Sequence, residues 1–204
     1  IGVTVPEGIN SLCCGIPWKS KGMTQGYATM RRRVVDIMRQ STRDGELTVI
    51  SDAVSCSEGF VHELEYEGVK DIRVVDAVQY VADEVLPIMP GLPKVASAAL
   101  HPTCSSTRMD WNDSLQRCAE AVADEVVVAD AWRCCGFAGD GGMLHPELTK
   151  SATRREATEL AEREFDLYLS ANRTCELGME RATGKPWRHA LSVLAERMVE
   201  YAPA

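Results

Sequence analysis

The chain has 204 residues, with 22 Lys and Arg against 30 Asp and Glu, and its net charge of −8 argues against nucleic acid as a partner. Hydrophobic content of 45% and charged content of 25% are ordinary for a globular chain, long enough for one domain or two small ones. No apolar run approaches a membrane span and no signal peptide is visible; the opening Ile1, running straight into GVTVPEG, looks like a cut inside a longer protein.

Residues 2–5 (GVTV) are predicted as a short strand leading into LCCGIPWKSKG. A helix is predicted over 22–40, where Tyr27, Met30, Val34, Ile37 and Met38 recur at helical spacing, with Arg31, Arg32 and Arg33 as a solvated face. A strand over 47–53 ends near Cys56, a helix follows to about Tyr66, and 72–77 is a strand feeding a helix at 77–88. Pro87, Pro90, Gly91 and Pro93 form a breaker cluster, so the halves are expected as 1–90 and 91–204. The second half is predicted as strand 95–101, helix 113–124, strand 126–131, helix 146–163, strand 166–171 and helices 175–182 and 187–201. Alternating strands and helices predict an α/β fold: two pseudo-repeated strand–turn–helix halves with mainly parallel sheets.

The eight cysteines are distributed unlike a disulfide scaffold, because Cys13–Cys14 and Cys134–Cys135 are vicinal. Each pair precedes a glycine, Gly15 or Gly136, and adjacent thiolates are soft donors suited to iron–sulfur clusters or zinc. Cys56, Cys104, Cys134 and Cys175 each follow a predicted strand, the end of a parallel sheet at which ligands gather. Cys118 falls mid-helix and is expected in the core. Cys13 and Cys56 recur as Cys134 and Cys175, at offsets of 121 and 119, which is an internal repeat. Cys104 has no counterpart in the first half, so a cysteine upstream of the chain is expected there.

LCCGIPWKSKG, HPTCSSTR, CCGFAGDGG, SANRTCELGM and the terminal ATGKPWRHAL resemble the tandem CCG cysteine-rich domain family. They are most similar to the C-terminal iron–sulfur part of FAD-linked D-lactate dehydrogenases and to the glycolate oxidase iron–sulfur subunit, with the CCG-bearing subunit of heterodisulfide reductase more distant. The family pattern is a cysteine, about thirty residues, Cys-Cys-Gly, about forty residues, then Cys-x-x-Cys. Cys104, Cys134, Cys135 and Cys175 match its first four positions, while Gly178, and Gly59 after Cys56, stand where the fifth thiol would be. The resemblance implies a [4Fe-4S] cluster on Cys104, Cys134, Cys135 and Cys175 and a second, incomplete site on Cys13, Cys14 and Cys56. It implies an oxidoreductase in which FAD, bound by an upstream domain, oxidises a D-2-hydroxy acid and passes electrons through the clusters to a quinone or similar acceptor. The fragment alone is expected to be inactive, and its location cytoplasmic or at the inner face of the cytoplasmic membrane. Backbone N–H groups of Gly136, Phe137, Gly139, Gly15 and Ser20 are candidates for bonds to sulfur, and Lys19, Lys21 and Arg108 for moderating its charge. His101 is a candidate for a hydrogen bond at the centre, with a structural role as its alternative; His145 is given no chemistry. The competing readings are a structural zinc scaffold and a metal-free thiol–disulfide enzyme.

Overall fold

A computed structural model describes residues 2–89 and 91–200. It divides into two compact units at Asp76/Ala77. The expected boundary was the proline cluster, so the segment 77–88 groups with the second unit.

The first unit contains α1 (Ile16–Ser20), α2 (Thr24–Thr42), β1 (Val49–Ser51), α3 (Val54–Tyr66) and β2 (Val74–Asp76). β1 and β2 pair in parallel, joined through α3 as a crossover. The helical periodicity read from α2 holds: Val34, Val35 and Met38 bury against Leu64, Val69 and Ile72. The strand expected at 2–5 does not form. Gly2, Val3, Thr4 and Val5 are exposed, so no buried face or neighbouring strand offsets the entropy of ordering them. Arg32 and Arg33 are exposed as expected, but Arg31 is not plain surface: it stacks 3.7 Å from the Tyr66 ring and pairs with Glu67 at 2.5 Å.

The second unit begins with α4 (Ala77–Tyr80), which widens into a π turn (Val81–Val85) and tightens to a 3-10 turn (Leu86–Ile88). Pro87 cannot donate within a regular helix, and it sits at the start of that last turn. Then come β3 (Val95–Leu100), α5 (Cys104–Arg108), α6 (Asn112–Glu120), β4 (Ala123–Val127), α7 (Gly141–Leu144), α8 (Pro146–Leu160), β5 (Leu167–Ser170), α9 (Arg173–Thr183), β6 (Trp187–His189) and α10 (Ala190–Glu200). The sheet is parallel throughout, in the order β4-β3-β5-β6, so the fold is α/β. Its core gathers Ala99, Leu160, Phe165, Tyr168, Met179 and Trp187, and Cys118 is fully buried, its thiol directed at the Val78 carbonyl.

Two expectations are corrected here. Residues 187–189 form the edge strand β6, not the first turn of the last helix; Trp187 pairs with Tyr168 and is 2% exposed. The strand expected at 126–131 runs instead from Ala123 to Val127. The N–H groups of Asp130 and Ala131 turn to the Glu159 carboxylate at 2.7 and 2.8 Å, which ends the strand and starts a loop. Pro90 and residue 201, at the edges of predicted segments, lie outside the described residues.

Candidate metal or redox centre

Three neighbouring strands, β4, β3 and β5, deliver Cys134 and Cys135, Cys104, and Cys175 from their carboxyl ends. After β3 the buried turn His101–Thr103 leads into α5. Thr103 caps that helix, accepting from the Ser106 N–H at 2.9 Å while Ser106 Oγ accepts from the Thr103 N–H at 2.9 Å. The cap sets Cys104 as the first helical residue. After β4 the loop is fastened to this turn by Trp132, whose indole donates to the Pro102 carbonyl at 2.7 Å. The loop then curls at Gly136, where φ is +69° and a Cβ would lie 2.9 Å from that of Ala152, so no larger residue fits. After β5, Cys175 sits in the first turn of α9, 4% exposed.

These elements bring the thiols into a connected group. The Cys135 and Cys175 sulfurs are 3.2 Å apart, and hydrogen bonds link Cys104 to Cys134 and Cys134 to Cys135. The Gly136 N–H donates to the Cys134 sulfur at 3.4 Å, and the Phe137 N–H stabilises Cys135 as thiolate. Phe137, 1% exposed, covers Cys135 and Cys175, with Arg181 over its ring. Gly139, at φ +74°, shapes the turn. Arg108 favours the Cys104 thiolate electrostatically. His145 pairs with Glu147 on the surface, and Ser20 bonds the Pro17 carbonyl of its own helix.

His101 lies within this group: its ring and the Cys135 and Cys175 sulfurs have donor atoms within 4.8 Å of one another. It is fully buried, between the rings of Trp132 and Trp187, and its Nδ1 lies 2.7 Å from Glu156 Oε1. Burial opposes its protonation, but Cys175 and Glu156 outweigh that and push it up to about 9. Glu156 was not singled out from sequence, although the buried face of α8 (Thr149, Thr153, Glu156, Leu160) has helical spacing that includes it.

The first unit repeats this arrangement locally. Gly15, at φ +73°, follows the vicinal pair and caps α1; Cys56 sits in the first turn of α3 and hydrogen-bonds to Cys14. The Gly15 N–H supports the Cys13 sulfur. Three residues beyond Cys56 and Cys175 a glycine meets the vicinal pair. A Cβ on Gly59 would lie 2.9 Å from the Cys14 carbonyl oxygen, and one on Gly178 would lie 3.5 Å from the Cys135 Cβ and 3.1 Å from the Thr149 methyl. A side chain where the family pattern has its fifth cysteine would therefore press on the loop, most severely at Gly59.

The electrostatics of the donor set bear on its fit to a metal centre. A hydrogen bond from Cys104 is the largest influence lowering Cys134, and one from Cys135 the largest lowering Cys175, to about 6. The same bonds raise Cys104 and Cys135. Within each bonded pair one thiol is pushed up as its neighbour is pushed down, and positive charge entering the group would favour all of them as thiolates. Soft donors that converge and need a cation fit a thiolate-bound metal or cluster.

Fold and site together define an α/β cysteine-rich domain whose thiols, with one histidine, are gathered for metal binding or redox chemistry. Over residues 98–180 the sequence matches the family model of the CCG cysteine-rich domain.

Proposed function

We propose that the chain is an iron–sulfur electron-transfer module of a FAD-dependent dehydrogenase acting on a D-2-hydroxy acid of the lactate or glycolate type. The observation that carries this reading is the convergence of Cys104, Cys134, Cys135 and Cys175 from three adjacent strand ends, in the spacing of the CCG pattern. Such a ligand set suits a [4Fe-4S] cluster, which supplies one-electron transfer when bound. The chain's own residues hold and shield it: Gly136 and Phe137 direct N–H groups at sulfur, the Phe137 ring excludes water, and His101, fixed by Glu156, faces Cys175. Cys13, Cys14 and Cys56 hold a second centre in the first unit. Hydride removal belongs to the flavin of an upstream domain, and a quinone or similar carrier accepts the electrons.

Anaerobic reconstitution with ferrous iron and sulfide, followed by iron and sulfide analysis and electron paramagnetic resonance, tests the proposal. Bound iron with acid-labile sulfide, giving a cluster signal on reduction, is expected. Tight stoichiometric zinc without sulfide would overturn it in favour of a second reading, a single-ion site. One observation favours that alternative: His101, Cys135 and Cys175 are close enough for one ion, with the histidine's other nitrogen on a carboxylate.

A further inference from the structure

Glu63 of α3 is fully buried, and neither carboxylate oxygen has a hydrogen-bond partner. A buried carboxylate without donors is costly, and such groups are ordinarily paired or coordinate a metal. Its position is specific. Cys56, Gly59 and Glu63 follow one another at i, i+3 and i+7, on one face of α3. Gly59 meets the backbone of Cys14, and the Glu63 carboxylate lies against Gly15: a Cβ there would be 2.6 Å from its Oε1. Its charge is felt by both Cys13 and Cys14. Arg31 is the cation that acts on it electrostatically, but that guanidinium is committed to Glu67 and the Tyr66 ring and makes no hydrogen bond to Glu63.

The repeat sharpens the comparison. The position seven residues beyond Cys175 is Ala182, which offers no donor, and there the vicinal pair is completed by Cys104. The first unit has a carboxylate on the helix face where the second unit has a methyl group. We propose that Glu63 is an oxygen donor to the metal centre of the first unit, acting with Cys13, Cys14 and Cys56; this rests on the iron–sulfur reading above.

The test uses the full chain, reconstituted anaerobically with ferrous iron and sulfide. A Cys134→Ser/Cys135→Ser background disables the second centre, so that any remaining iron reports the first. Glu63→Gln and Glu63→Leu are then introduced, with circular dichroism of the apoprotein to confirm that each is folded. The expected result is that the background binds iron and sulfide, that X-ray absorption finds oxygen beside sulfur in the iron shell, and that either Glu63 variant loses the first centre at least tenfold while keeping its helical signal. Three outcomes overturn the assignment: unchanged iron binding in the Glu63 variants, an all-sulfur shell, or iron confined to the second centre in the unmodified chain. All three leave the iron–sulfur reading standing. Failure of the unmodified chain to bind iron at either centre would remove that reading and this assignment with it.

Discussion

Two carboxylates buried beside sulfur behave differently because of their partners. Glu156 is 1% exposed and its Oε1 holds His101 Nδ1 at 2.7 Å, which satisfies one polar atom of each group, while Glu156 Oε2 has no hydrogen-bond partner. Removing one partner strands the other: Glu156→Leu should cost about 3–5 kcal/mol of apoprotein stability in urea unfolding. The double variant Glu156→Leu/His101→Leu should cost much less than two such losses, because no polar group is left alone. Glu63 has no such partner, and burial raises its carboxyl from about 4.5 to about 7. The folded apoprotein therefore binds this proton more tightly than the unfolded chain does. Its cost is absent below about pH 4.5, grows as pH rises to about 7, and is complete above that. Glu63→Leu should raise apoprotein stability at pH 8 by about 2–3 kcal/mol and at pH 4 by little. A gain independent of pH would show that the carboxylate is not the source.

Among the elements, α3 and α9 do the same work with unequal tolerance. Each carries a cysteine in its first turn and a glycine three residues later against a vicinal pair. Alanine gains about 1 kcal/mol over glycine inside a helix, so the outcome depends on the space available. At Gly59 the obstacle is a backbone carbonyl at 2.9 Å, which cannot swing aside. At Gly178 the closest atom is the Thr149 methyl at 3.1 Å, which can give by a few tenths of an ångström. Gly59→Ala should therefore destabilise the apoprotein by about 1–2 kcal/mol net, while Gly178→Ala should be close to neutral, both read from urea midpoints. A fifth thiol at position 59 meets the same carbonyl, which is a packing reason for a pattern that stops at glycine. In the loop, Gly136→Ala combines a left-handed φ of +69° with a contact at 2.9 Å and should cost about 2–3 kcal/mol, with weaker iron retention.

Across the whole molecule, each compact unit carries its own set of cysteines, at matching places in its own fold. Under the proposed function, Cys135→Ser should remove one centre and leave the spectrum of the other in place; loss of both signals from that one substitution would contradict two separately held centres. No helix among the described residues is long and apolar enough to cross a membrane.

Much of the secondary structure was legible because it is written locally. The apolar period of α2 and the short apolar stretches of β1 and β3 each state their own conformation. The cysteines' places after strands followed from that, since a parallel α/β sheet sends every strand end to one rim. Local pattern could not see β6, whose three residues form a strand only because β5 lies beside them. Nor could it show which polar groups pair. Cys135 meets Cys175 across 40 positions and His101 meets Glu156 across 55, contacts that only the folded chain makes. The sequence by itself determined the kind of donor, the α/β alternation and the repeat, because spacing and side-chain chemistry reside in the chain. The tertiary structure alone decided that His101 stands among the thiols, that Gly59 admits no side chain, and that Glu63 is sealed in without a partner, because burial is a property of packing.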